Sequence, residues 1–109
     1  MISITLLCSL GMSTSMLVDA MSEVAKKRNI ELDIDALPFD KASERLEKTD
    51  ILLIGPQVKH LLPKFQEKYS GRIPVIAVID FRDYGLVRGE KILDESLERL
   101  ETAAGASQL

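Results

Sequence analysis

Residues 2–15 read ISITLLCSLGMSTS, an apolar run followed by a loop that holds the only cysteine of the chain. Residues 2–7 have the pattern of a β-strand, with Ile4 and Leu6 on one face. Cys8 opens the loop, and the hydroxyl-bearing residues 13–15 can cap a helix that runs to about residue 28. This stretch therefore predicts a strand, a short loop and a helix in direct succession.

The loop at this strand-to-helix junction is suited to binding an anion, above all a phosphate. Backbone N–H groups at a helix start are unpaired, and the helix dipole adds partial positive charge there. The same field favours a thiolate, which is the nucleophilic form of cysteine. The sequence therefore predicts that Cys8 attacks and carries a phosphoryl group. The predicted cradle consists of the backbone amides of residues 9–15 and nearby hydroxyls: Ser9, Leu10, Gly11, Met12, Ser13, Thr14 and Ser15.

Strand-like and helix-like segments alternate along the rest of the chain. Residues 30–37 alternate between apolar and acidic side chains, as a strand with one wet face does. Residues 51–54 and 75–79 are continuously apolar, as strands buried on both faces are. Predicted helices cover residues 40–46, with Asp40 as the cap, a segment from residue 58, and residues 90–101. Residues 80–89 are predicted to form a loop, and the tail over residues 103–107 to be frayed.

This βαβαβαβα order predicts an α/β fold. Alternation of this kind gives a parallel sheet with helices on both faces and right-handed crossovers. With residues 30–37 at an edge, the expected strand order is 2-1-3-4, in a single three-layer domain spanning residues 1–109. Ligands of such sheets bind beyond the carboxyl ends of the strands, where the winding reverses. That point lies beside strand 1, and therefore beside Cys8.

Composition excludes several classes of function. The chain has 109 residues, of which 46% are hydrophobic, enough for one core. No apolar run reaches the roughly 18–20 residues that span a bilayer, and the start lacks the basic segment of a signal peptide. A single cysteine excludes an internal disulfide and fits the reducing cytosol. The net charge of −3 and the absence of a long basic run argue against a nucleic-acid partner.

Other phosphate-handling motifs are absent or incomplete. The sequence contains neither GxxxxGK[ST] nor GxGxxG, and strand 3 ends in Ile54 rather than in the aspartate of a response-regulator receiver. A low-molecular-weight tyrosine phosphatase would carry an arginine after a cysteine and five further residues. Thr14 stands at that place, and a hydroxyl cannot clamp phosphoryl oxygens as a guanidinium does. Hydrolysis should therefore be slow, as suits a protein that passes phosphate on.

Several residues have both a functional and a purely structural interpretation. For Ser13 and Thr14, helix capping and phosphoryl contact carry equal weight. His60 lies off the apolar stripe of its helix and is expected on the surface, although it could in principle carry a phosphoryl group. Asp83 and Tyr84 either contact a partner or shape the late loop. Pro56 and Gln57 are expected to shape a strand-to-helix turn.

The motif Cys-Ser-x-Gly-Met-Ser-Thr-Ser at residues 8–15 resembles the phosphocysteine loop of IIB components from the lactose/cellobiose branch of the sugar phosphotransferase system. The segments Leu53-Ile54-Gly55-Pro56-Gln57, Leu62-Pro63 and Tyr84-Gly85 are similar as well. Leu10 stands where the family often has a small residue. The resemblance also implies the topology of a low-molecular-weight tyrosine phosphatase.

This resemblance implies a cytosolic phosphotransferase with Cys8 as its phosphorylated residue. A phosphohistidine on a IIA protein would donate to Cys8, which would donate to a sugar, usually a β-linked disaccharide, bound by the membrane IIC protein. No metal or organic cofactor is implied. Two alternatives stay open: a phosphatase, and a non-catalytic module that binds anions or senses oxidation through Cys8.

Overall fold

Four parallel strands form one sheet. The computed structural model describes residues 1–8, 12–38, 40–41 and 43–107; of these, the side chains of residues 12, 13, 43 and 105–107 are not described. The strands are β1 (Ile2–Cys8), β2 (Leu32–Pro38), β3 (Ile51–Ile54) and β4 (Val75–Val78). Their order in the sheet is β2-β1-β3-β4, so the predicted fold class and strand order are confirmed.

Helices follow each strand and cover both faces of the sheet. They are α1 (Met12–Lys27), α2 (Ser43–Leu46), a 3-10 helix (Pro56–Leu61), α3 (Leu62–Tyr69), α4 (Phe81–Gly85) and α5 (Gly89–Ser107). One apolar layer joins the sheet to α1 and α5 and includes Leu17, Met21 and Leu93. The opposite layer joins the sheet to α2, the 3-10 helix and α3, and includes Leu46, Val58 and Phe65. The sheet is thus the middle of three layers.

Strand β2 lies at an edge of the sheet and pairs with β1 alone. Its even-numbered residues 32–36 are half-buried, whereas Asp33 and Asp35 are exposed, as the alternation predicts. Arg45 of α2 ties the two strands together: its Nη2 donates to the Ile4 carbonyl at 2.8 Å and to the Asp33 carbonyl at 3.0 Å. The edge strand is therefore anchored by a side chain as well as by the backbone ladder.

Helices α1 and α5 pack closely against each other. A Cβ added to Gly89 would lie 2.7 Å from the Ala20 Cβ, so the absence of a side chain permits this approach. At the far end of α1, Arg28 pairs with Glu90 and Asp94 of α5. The hydrogen bond with Asp94 raises the pKa of Arg28, which stays charged in any case.

The prediction of a loop over residues 80–89 is wrong, because residues 81–85 form α4. Asp80 caps this helix, accepting from the backbone N–H of Arg82 at 3.0 Å and of Asp83 at 3.2 Å. The helix is too short for its periodicity to be recognised. The frayed tail is also corrected: α5 continues to Ser107, through alanines of high helix propensity.

Other element boundaries differ from prediction by a few residues. The helix expected over 40–46 covers only Ser43–Leu46, and Asp40 lies in a turn. The segment after Gly55 is split into a 3-10 helix and α3. Pro63 explains the split, because it lacks the N–H that would continue one α-helical ladder through this point.

Candidate functional site

Cys8 is the last residue of β1 and lies at the carboxyl end of the sheet. It is in register with Pro38 of β2, and the preceding Leu7 pairs with Ile54 of β3. Cys8 is buried, with 4% of its surface exposed. Its Sγ donates to the Leu37 carbonyl at 3.9 Å, a weak contact typical of a thiol. The strand therefore holds the sulfur at the edge of the core, at the end of the sheet where ligands of such folds bind.

Helix α1 begins at Met12, a few residues after Cys8. Ser9, Leu10 and Gly11 lie outside the described residues, as do the side chains of Met12 and Ser13. Residues 13–15 lie within the first turn and do not precede the helix as caps, because it starts earlier than predicted. The backbone N–H groups of this turn have no partner earlier in the helix. The unpaired N–H donors and the positive end of the helix dipole therefore lie only a few residues after Cys8 in the chain.

The side chain of Thr14 turns into the protein and is 1% exposed. Its Oγ1 lies 2.9 Å from the hydroxyl of Tyr84, in a hydrogen bond to which either group can donate. Ser15 is exposed. Besides the two roles that the sequence predicted for Thr14, helix capping and phosphoryl contact, the structure shows a third: a tertiary hydrogen bond to α4.

Tyr84 and Asp83 are both buried in α4, with 7% and 1% exposure. Asp83 Oδ1 accepts from Arg88 Nη1 at 3.3 Å and from Lys91 Nζ at 3.2 Å. The carboxylate therefore has cationic partners that offset the cost of its burial. Of the two interpretations that the sequence left open, these side chains support the structural one.

The end of β3 lies beside the same tyrosine. The Gly55 N–H donates to the Leu7 carbonyl at 2.9 Å, which joins this turn to β1 one residue before Cys8. A Cβ on Gly55 would lie 3.2 Å from the Leu7 carbonyl oxygen and 4.0 Å from Tyr84 Cε2. Tyr84 is thus a neighbour of the β3 end and of the α1 start, and neither contact could be deduced from motif spacing.

Large apolar side chains are exposed around this end of the molecule. Phe81, the first residue of α4, and Leu86, directly after that helix, have 76% and 63% exposure, and Met16, one turn into α1, has 60%. Gln57 is exposed, and Pro56 is half-buried in the turn that the sequence predicted for them. His60 is exposed, as predicted. Exposed apolar groups of this kind can contact another protein.

Within the described residues, no cluster of three or more histidine, cysteine, aspartate or glutamate side chains is arranged to hold a metal ion. In the same part of the chain, no helix has both the length and the apolar character required to cross a membrane.

Comparison with solved structures first defines the class of protein. The chain is similar to a cellobiose-specific phosphotransferase IIB component from Borrelia burgdorferi, with a TM-score of 0.77, 34% identity and 94% of each chain covered. A lactose-specific IIB domain from Streptococcus pneumoniae has a TM-score of 0.80 at 16% identity, over 90% of this chain and 96% of the other, and shows the shared fold. Such IIB domains share the fold of low-molecular-weight tyrosine phosphatases.

Sequence comparison identifies the family. Residues 3–95 match the family described as PTS system, Lactose/Cellobiose specific IIB subunit. The oligo-beta-mannoside-specific EIIB component of Bacillus subtilis is 40% identical over 86% of this chain and 91% of its own. The galactose-specific EIIB component of Lactococcus lactis is 35% identical over 83% of this chain and 88% of its own. The chain therefore belongs to the lactose/cellobiose-specific IIB family, whose members are sugar phosphotransferase components that work with IIA and IIC proteins.

Proposed function

We propose that this chain relays a phosphoryl group through Cys8. The thiolate of Cys8 attacks the phosphorus of a phosphohistidine on a IIA protein. An S–P bond forms, the P–N bond breaks, and its electron pair returns to the imidazole of the donor. In the second step a sugar hydroxyl attacks the same phosphorus, an O–P bond forms and the S–P bond breaks; the sulfur leaves with the electron pair, and the proton lost by the hydroxyl balances its charge, so that the net product is the Cys8 thiol.

One observation carries this proposal: the only cysteine of the chain ends β1 at the carboxyl edge of the sheet, shortly before the start of α1. Unpaired N–H groups and the helix dipole favour the oxygens of a phosphoryl group bound there. We propose that the backbone amides of residues 9–15 and the hydroxyls of Ser9, Ser13 and Ser15 hold the phosphoryl group. Because the Thr14 hydroxyl already bonds Tyr84, we assign Thr14 a backbone contribution.

The burial of Cys8 bears on the transfer. With 4% of the residue exposed, the sulfur offers little surface to solvent. The weak contact of Sγ with the Leu37 carbonyl is easily given up when the sulfur attacks. Such shielding suits a relay, because it keeps water from the S–P bond between the two encounters.

The principal alternative, a tyrosine phosphatase, lacks support at the position that matters for its chemistry. The place of its phosphate-clamping arginine is held by Thr14, which is buried and bonded to Tyr84. A bidentate guanidinium stabilises the charge of the attacked phosphoryl group in a way that one hydroxyl cannot. We therefore propose transfer to a sugar, not to water, as the fate of the phosphoryl group.

We further propose a β-linked disaccharide as the sugar and the cytoplasm as the site of action. Similar proteins are named for oligo-beta-mannoside and for cellobiose, which supports the first proposal. Both IIA and IIC must reach Cys8, so their surfaces on this chain overlap at the carboxyl end of the sheet. Among the described residues, the exposed Phe81, Leu86 and Met16 offer apolar contacts there.

The test is phosphorylation of the intact chain by a phosphorylated IIA protein, followed by mass spectrometry of the whole protein. The native chain should gain one phosphoryl group, and Cys8→Ser should gain none while keeping its fold by circular dichroism. His60→Ala is the matched control, because His60 is an exposed alternative acceptor, and it should behave like the native chain. Phosphorylation of the serine variant, or its loss in His60→Ala, would refute the assignment.

A further inference from the structure

We propose that Tyr84 is a positioning residue for phosphoryl transfer, acting through Thr14 on the first turn of α1. The inference rests on the proposed function of Cys8 and adds to it a residue far from the loop in sequence. Tyr84 does not need to touch the phosphoryl group. It sets where the backbone donors of the helix start lie relative to the sulfur.

The first contact joins Tyr84 to the helix start. Its hydroxyl and Thr14 Oγ1 are 2.9 Å apart, and both residues are buried, with 7% and 1% exposure. Thr14 is the third residue of α1, so its backbone belongs to the turn whose N–H groups have no partner in the helix. A hydrogen bond to this side chain therefore restrains those donors directly.

The second contact joins Tyr84 to the strand ends. Its ring lies beside Gly55, at the end of β3, where an added Cβ would be 4.0 Å from Cε2. Gly55 is bonded to the Leu7 carbonyl, one residue before Cys8. Tyr84 thus connects the helix that carries the donors with Gly55, which is bonded to the strand that carries the sulfur, and so restrains the distance between the two.

Helix α4 is itself held in place, which a positioning residue requires. A five-residue helix is not stable alone. Asp80 caps its start, and the buried Asp83 joins it to Arg88 and to Lys91 of α5. The Tyr84 hydroxyl is therefore presented from a rigid support, in a low-dielectric setting where its bond to Thr14 is strong.

Transfer should be sensitive to this bond, because misplacing a reacting group by about 1 Å can slow a reaction roughly 100-fold. Tyr84→Phe removes one oxygen and keeps the buried ring. Thr14→Val removes the partner hydroxyl at nearly constant shape, and Thr14→Ser keeps it. Tyr69→Phe is the matched control, since Tyr69 is an equally buried tyrosine in the opposite apolar layer.

The experiment is single-turnover phosphorylation of the full chain at increasing concentrations of a phosphorylated IIA protein from a cellobiose-specific system. Tyr84→Phe and Thr14→Val should each lower the limiting rate by about 10- to 100-fold and leave the half-saturating IIA concentration unchanged. The double variant should be no slower than Tyr84→Phe alone, because the phenylalanine already removes the bond that Thr14→Val breaks. Tyr69→Phe should retain the native rate, and Thr14→Ser, which keeps a hydroxyl, should lose less of the rate than Thr14→Val. Amide shifts of residues 13–15 should move in Tyr84→Phe and not in Tyr69→Phe.

If Tyr84→Phe keeps the native limiting rate, the inference is overturned. It is also overturned if Tyr69→Phe lowers that rate as much as Tyr84→Phe does. In both cases Cys8 remains the acceptor. A rise in the half-saturating concentration with an unchanged limiting rate also overturns it, because Tyr84 would then serve docking. A native chain that takes up no phosphoryl group overturns the proposed function, and this inference with it.

Discussion

Gly89, the first residue of α5, lies against Ala20 of α1 so closely that no side chain fits between them. An added Cβ would meet not only the Ala20 Cβ at 2.7 Å but also the Ala20 carbonyl carbon at 2.9 Å. Because the second contact is backbone, it cannot be relieved by a change of rotamer. This approach sets how α5 lies on the helix that follows the cysteine loop.

Gly89→Ala should therefore lower the free energy of unfolding by about 1–3 kcal/mol, the usual cost of overpacking. Urea denaturation followed by circular dichroism measures the loss. Gly71→Ala is the control, because a Cβ at Gly71 meets nothing within 4 Å. If Gly89→Ala and Gly71→Ala had the same free energy of unfolding, α1 and α5 could move apart without a loss of stability, and the prediction would be wrong.

Asp83→Asn should destabilise the protein by about 1–3 kcal/mol, because a buried carboxylate that accepts from two cations is replaced by a neutral amide. The matched control is Glu95→Gln, which removes an exposed carboxylate that Lys91 reaches only at 3.9 Å. The midpoints of urea denaturation should fall for the first variant and stay within error for the second. If both midpoints stay unchanged, Asp83 does not hold α4 in place.

Thr14→Arg should unfold part of the population instead of producing a phosphatase. The position is 1% exposed and faces Tyr84, so a guanidinium there is overpacked and buried without a carboxylate partner. We expect a loss of about 2–4 kcal/mol in urea denaturation. Met16→Arg, at an exposed position of the same turn, should keep the native midpoint. A stable Thr14→Arg protein that hydrolyses an aryl phosphate rapidly would contradict this view of the position.

Phe81→Ala should weaken docking of IIA without affecting the fold. The ring is 76% exposed at the carboxyl end of the sheet, so its removal costs contact area on a partner and little internal packing. The half-saturating IIA concentration for phosphorylation of Cys8 should rise about 5- to 30-fold, with the limiting rate unchanged. Pro74→Ala, exposed at the opposite end of the sheet, should change neither quantity. If Pro74→Ala raised the half-saturating concentration and Phe81→Ala did not, the docking surface would lie at the opposite end of the sheet, and the prediction would be wrong.

Much of the fold could be predicted because its signals are local. The alternation around Asp33 and Asp35 marked the edge strand, and the unbroken apolar run of β3 marked a central one. Together with the strand–helix order, these patterns lead to the 2-1-3-4 sheet, because parallel crossovers have one hand. The position of Cys8 at the switch point followed from the same reasoning.

The contacts around the site could not be predicted because they join segments distant in sequence. Asp80 caps α4, but a helix as short as α4 has no periodicity by which the sequence could indicate it. Because α4 was not predicted, Tyr84 was placed in a loop, and Thr14 was interpreted only as a helix cap or a phosphoryl ligand. Only the packed structure shows the 2.9 Å bond between them, formed across 70 residues.

The relay itself is tested most directly by following labelled phosphate from a phosphorylated IIA protein onto this chain and then off it. After removal of the donor, the label should remain on the peptide that contains Cys8. It should leave only when membranes containing IIC and a β-linked disaccharide are added, and should appear on the sugar. Release as inorganic phosphate at the same rate without membranes, or no label on the chain at all, would contradict the account.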